Sequence, residues 1–250
     1  MKNVRRKRCK YCHRLQKYKR GHKSCRERNK MKLWNLSKVL GTRDMFDGIK
    51  GYEDEKWIIR GALKSEEPPV HVLLVGPPGI GKTRFLKAIE EEYGDKAYFA
   101  LSNATTSAGI INQCFIRQPR YLLLDEIEEM NPAAQASILS LLQDGVLVET
   151  KISKTRKTKF KCTVIATCNK TSKLKEPLLS RFAVIEMKAY SDEEFKEVVM
   201  QQMPKNPLSG YIAEQVLMTQ KNPNVREALR IGQLARSPED VHRYLARVRG

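Results

Sequence analysis

Several absences narrow the reading. No stretch of this chain approaches eighteen uninterrupted apolar residues, so no membrane-spanning helix is expected. The basic N-terminus is followed by no apolar core segment, which excludes a secretory leader from the expectation. Acids are scarce: 28 Asp and Glu stand against 47 Lys and Arg, a formal charge of +19 over 250 residues. A deficit of that size points to a polyanionic partner, nucleic acid before an anionic membrane surface. Disorder along the whole chain is excluded, because apolar residues are 41% and charged residues 30% of the total.

The acids are missing mainly from one place. Residues 1–32 hold 15 Lys and Arg and a single acid, Glu27, whereas the rest of the chain is nearly balanced. The reading is a basic arm (1–32), a linker (33–44) and a globular body. Within the arm, Cys9-x2-Cys12 and His22-x2-Cys25 form two short chelating pairs. Zinc takes four N and S ligands in a tetrahedron, and two such pairs supply them. His13 is an alternative to His22, and a basic tail with unligated thiols is the plainer alternative. A Zn2+ ion would order a segment too charged to build a core of its own.

The body opens with an apolar run, His71 to Val75, followed by Gly76, Pro77, Pro78, Gly79, Ile80, Gly81, Lys82 and Thr83. This is G-x-x-x-x-G-K-[ST] between a buried strand and an amphipathic helix, the context the pattern requires. Backbone N–H groups there can close around phosphate oxygens, Lys82 can reach the β- and γ-phosphates, and Thr83 can hold Mg2+. A second strand, Tyr121 to Leu124, ends in Asp125-Glu126. A carboxylate at that end of an open parallel sheet lies beside the phosphate loop. Asp125 is then a magnesium ligand through water, and Glu126 the general base for an attacking water.

Asn131-Pro132 starts a further helix, as an N-cap followed by proline in the first turn. A hairpin with a basic tip, residues 151–161, is predicted after it. Its cations are Lys151, Lys154, Arg156, Lys157, Lys159 and Lys161, with no acid among them. They are candidate nucleic-acid contacts, a solvated loop being the bland alternative. The next buried strand ends at Asn169, an amide placed to orient water. Arg181 and Arg226 complete the polar set, each with an ordinary surface ion pair as its alternative.

This ordered set, GPPGIGKT, LLLDE, Asn169, Arg181 and Arg226, resembles the AAA+ ATPase family over roughly residues 45–248. The resemblance implies an α/β P-loop NTPase fold, with a parallel sheet in the order 5-1-4-3-2. It implies an ATPase core at 45–189 and a helical lid at 190–250. It also implies ATP and Mg2+ as substrate and cofactor, with Asn169 as sensor 1, Arg226 as sensor 2 and Arg181 as an arginine finger. The finger would act on ATP in the neighbouring subunit of a homo-oligomeric ring, a hexamer being one such assembly. IKGYEDEK resembles the segment that holds adenine, through Ile49 and Tyr52. Within the family, the hairpin, the LLSRF element and the NVREALR helix resemble the RuvB-like and minichromosome-maintenance-like groups. That implies a DNA-dependent motor or remodeller, a helicase or branch-migration enzyme, working intracellularly in the cytoplasm. The spacing of DEI, Q, LL and ATCN is also similar to that of MoxR-type ATPases. The alternative they imply is a protein remodeller, or a loader tethered to nucleic acid and acting on a protein partner.

Overall fold

The computed structural model describes residues 44–102, 106–151 and 154–247, together with the backbone of 7–8 and 15–16. The chain divides into two compact units, Met1–Asp47 and Gly48–Gly250. In the first, β1 (Lys7–Arg8) pairs antiparallel with β2 (Leu15–Gln16). The proposed zinc ligands Cys9, Cys12, His22 and Cys25, and the alternative His13, lie outside the described residues.

The second unit is built on five parallel strands: β3 (Val72–Val75), β4 (Ala97–Leu101), β5 (Tyr121–Asp125), β8 (Thr163–Cys168) and β9 (Ala183–Glu186). Every residue of β5 and β8 is buried, which is why both are mostly apolar without the alternation of a half-exposed strand. Across the sheet the order is β4-β5-β8-β3-β9. That differs in label from the expected 5-1-4-3-2, because chain-order numbering also counts β1, β2 and the hairpin strands β6 (Val146–Lys151) and β7 (Lys154–Lys159). Counting the five sheet strands alone from the β9 edge, the succession is fifth, first, fourth, third, second.

Helices Lys82–Tyr93, Ser107–Arg117 and Pro132–Asp144 connect these strands. The last starts as its sequence suggests, with Asn131 Oδ1 accepting the Ala134 N–H at 2.9 Å and Pro132 in the first turn. Three elements carry no prediction from sequence: the helix Glu53–Lys64, the strand β4 and the helix Ser107–Arg117. The segment expected to be a lid is four helices, Asp192–Gln202, Ser209–Thr219, Val225–Leu234 and Pro238–Arg247, around their own core of Phe195, Val199, Ile212, Val216, Ala228 and Ile231. The sequence SDEE, residues 191–194, has the spacing of a capping box, and Ser191 and Glu194 form one at the start of the first.

One element corrects the sequence reading. The basic segment is not the tip of a hairpin: Lys154–Lys159 is itself a strand, β7, paired antiparallel with β6 (Val146–Lys151). Its cations therefore alternate between two faces. Among the described residues, no helix is long and apolar enough to cross a membrane.

Candidate nucleotide site

The ends of β3, β5 and β8 converge on the phosphate loop. Lys82, the first residue of its helix, is 7% exposed. Its Nζ donates to the Gly76 carbonyl at 2.6 Å, the Pro77 carbonyl at 2.8 Å and Asn169 Oδ1 at 2.9 Å. Burial pulls the ammonium below its ordinary pKa; the charges of Glu128 and Asp125 push it back up, and that of Arg226 adds to the fall. Asn169, Asp125 and Arg226 therefore all act on Lys82, although 144 positions separate Lys82 from Arg226 in the sequence.

Thr83 Oγ1 donates to Asp125 Oδ2 at 2.9 Å. The other carboxylate oxygen, Asp125 Oδ1, accepts from Thr167 Oγ1 at 2.5 Å, and the same hydroxyl accepts the Glu126 N–H at 3.0 Å. Thr167 thus fixes both acids of the pair. A hydroxyl facing a carboxylate at the mouth of the loop is a hard-oxygen donor set, and it fits Mg2+. Glu126 has φ 56° and ψ 52°, a left-handed conformation uncommon outside glycine. Tyr52 has φ 60°. Backbone strain of this kind persists where the surroundings over-determine it, and it clusters at working sites.

Around the loop, the fold closes tightly. A Cβ on Gly76 would stand 2.6 Å from the Met187 carbonyl oxygen, so the first glycine of the pattern is required by the end of β9. At Gly79, with φ +88°, a Cβ would lie 2.4 Å from Asn224 Oδ1. Asn224 caps the Val225–Leu234 helix by accepting the Arg226 N–H at 2.9 Å. The lid therefore rests directly on the phosphate loop. Ile49 is buried, and Tyr52 donates its hydroxyl to the Lys188 carbonyl at 2.8 Å while its ring meets Phe85 and Tyr190.

Arg181 is not brought to this cluster. It is exposed, and its guanidinium lies with Ser180 Oγ at 3.1 Å and Gln143 Oε1 at 3.5 Å. The hairpin cations separate by face. Arg156 is engaged within the chain: Nε meets Glu149 Oε2 at 2.5 Å, Nη1 donates to Asn112 at 2.9 Å, and the guanidinium stacks on Phe115 at 4.3 Å. Lys161 is paired with Glu67. Lys157 and Lys159 stand exposed on the opposite face, across from Val148 and Val146. Lys151 and Lys154 are cross-strand partners in the backbone register.

Four residues were missed in the sequence: Thr167, Glu128, Tyr190 and the loop contact of Asn224. Thr167 has a signal, a polar residue inside a wholly buried strand. The other three have none, because their contacts join segments far apart in the chain. The three thiols among the described residues offer no rival chemistry. Burial pushes Cys114 and Cys168 up to about 12 and raises Cys162 further, so all three are protonated at neutral pH.

Residues 72–190 match the family described as ATPase family associated with various cellular activities (AAA). Among solved structures the chain is similar to RuvB of Thermotoga maritima, described as a Holliday junction branch migration motor. Identity is 22% and the TM-score 0.59, over 78% of this chain and 69% of that one. Two substituted forms of that protein give TM-scores of 0.60 at 22% identity and 0.59 at 20% identity. They cover 78% and 82% of this chain, and 70% and 72% of theirs. At such identities the likeness is one of fold.

Proposed function

We propose, from the premise that residues 72–190 are a domain of the AAA ATPase family, that this chain hydrolyses ATP to drive a DNA-dependent motor or remodeller of the RuvB-like kind. The observation that carries the reading is the continuous polar set from Lys82 through Asn169, and from Thr83 through Asp125 and Thr167 to Glu126. In it, loop 76–83 holds the phosphates, Lys82 neutralises the β and γ oxygens, and Thr83 and Asp125 hold Mg2+. The metal supplies charge neutralisation at those oxygens when bound. Glu126 takes the proton of the water that attacks the γ-phosphorus, Asn169 orients that water, and the bond to the β-phosphate oxygen breaks. Arg226 reports on the phosphates from the lid. Ile49 and Tyr52 flank the adenine.

Arg181 has no reach to its own site, which favours an arrangement where it acts on ATP in the next subunit of a homo-oligomeric ring. The exposed Lys157 and Lys159, with Lys151 and Lys154 at the far end of the hairpin, grip DNA phosphates. ATP as fuel places the activity inside the cell, in the cytoplasm. Zinc on Cys9, Cys12, Cys25 and either His22 or His13 staples the arm. Elemental analysis of the full chain should find one zinc per chain, and a metal-free protein sinks that part.

The test is ATP turnover with no DNA and with single-stranded, duplex and four-way DNA. Turnover should rise with DNA, and affinity should fall steeply with salt as counterions are released. Flat rates across the panel oppose the motor. A second reading, a loader or MoxR-like protein remodeller tethered by its arm, is favoured by the arm's belonging to a separate unit. Removing residues 1–32 separates the two: DNA coupling survives in a motor and vanishes in a tethered loader.

A further inference from the structure

Glu128 has no role in the proposed hydrolysis, yet it is buried to 7% exposure in the short turn Ile127–Glu129. Its neighbour Glu129 shows what an ordinary acid does here: it is exposed and pairs with Lys173 at 2.8 Å. Glu128 turns inward instead. Its Oε1 accepts the Asn169 backbone N–H at 2.7 Å, and its Oε2 is buried with no hydrogen-bond partner among the described residues.

A carboxyl group buried with one oxygen unmet is costly, so its place calls for a compensating role. Two features supply one. Asn169 stands just past the last residue of β8, where the sheet ladder ends. Its N–H needs an acceptor from elsewhere, and Glu128 is that acceptor. The side chain of the same asparagine holds Lys82 Nζ at 2.9 Å. Cys168, between the strand and Asn169, is held protonated partly by the same carboxylate.

We infer that Glu128 is a positioning residue for the hydrolytic step. By clamping the Asn169 backbone, it fixes the direction of the Asn169 carboxamide toward Lys82 and the attacking water. The inference rests on the ATPase reading. Glu128 bonds to the amide of Asn169 and to no residue of the phosphate loop, so the effect belongs to turnover and not to nucleotide capture. A small misdirection of such a group costs rate steeply.

The experiment uses the full chain with five variants: Glu128→Asp, Glu128→Gln, Glu128→Ala, Asn169→Ala, and Glu128→Ala combined with Asn169→Ala. ATP turnover gives kcat and KM, a fluorescent ATP analogue gives Kd, and thermal melting confirms folding. Glu128→Asp keeps the charge but withdraws the acceptor by one methylene. It should lower kcat by roughly ten- to a hundredfold, with KM and Kd within about twofold of the parent. Glu128→Gln keeps the acceptor and should retain most of kcat. The double variant should be no slower than Asn169→Ala alone, because both act through one group. If Glu128→Ala does not fold, the Asp and Gln pair carries the test. Parental kcat in Glu128→Asp, parallel losses of kcat and Kd, or multiplied losses in the double variant each overturn the inference while leaving the ATPase reading intact. A parent chain without ATP turnover overturns both.

Discussion

Lys82 and Lys157 are the same residue type used in opposite ways. Lys82 is buried, and its ammonium touches three oxygens. Lys157 stands exposed on one face of β7, with Lys159 two residues on. The first depends on the exact angle of each partner, because a buried charge must be met by fixed groups. The second depends on number, because exposed cations sum their attraction for a polyanion and each is replaceable. Net charge therefore says little about the chemistry, whose residues are few and mixed in sign.

The comparison can be broken at either end. Glu126→Gln should retain ATP binding and lose roughly a hundred- to ten-thousandfold in turnover; equal turnover would remove Glu126 as the base. Replacing Lys157 and Lys159 together by alanine should leave DNA-free turnover unchanged. It should weaken DNA binding and flatten the slope of log affinity against log salt by about two. A slope that does not move would take the DNA contact away from this face. Arg156→Ala, by contrast, should lower the melting temperature without altering that slope, since its guanidinium is held by Glu149, Asn112 and Phe115.

Thr167→Val keeps the shape of the strand but leaves Asp125 Oδ1 and the Glu126 N–H without their shared hydroxyl. A stability loss of about 1–3 kcal/mol is expected by urea denaturation, with a fall in turnover. The smallest effect is at His71. Its Nδ1 accepts the Val164 N–H at 3.1 Å, so the proton sits on Nε2, facing the Leu142 carbonyl at 3.2 Å. Burial depresses its folded pKa below the ordinary 6.5. The neutral form is the native one, so stability is complete above about pH 6.5. It falls below that, by up to about 1.4 kcal/mol per pH unit until the folded pKa is reached. Urea midpoints at pH 7.5 and 5.5 should separate more for the parent than for His71→Gln.

How far the sequence carried depends on where the constraint lies. The phosphate loop, the acid pair of β5 and the amide after β8 were legible because each sits at a strand end within one short segment. The capping box at Ser191 and the Asn131 cap were legible for the same reason. The β7 strand was not. Lys154–Lys159 reads KTRKTK and offers no apolar face, so its strand character comes from the partner Val146–Lys151 and from Arg156 packing on Phe115. The role of Glu128 was hidden for another reason: an acid among acids in DEIEEM gives no sign of which one turns inward.

The pattern that defines the phosphate loop leaves position 79 open to any residue, but the lid does not. Even a methyl group there would occupy the volume of the Asn224 carboxamide, and Asn224 is the first anchor of the helix that carries Arg226. One missing side chain thus serves as a socket between two parts of the molecule. Filling it would uncap a helix at the far end of the chain before any nucleotide arrived.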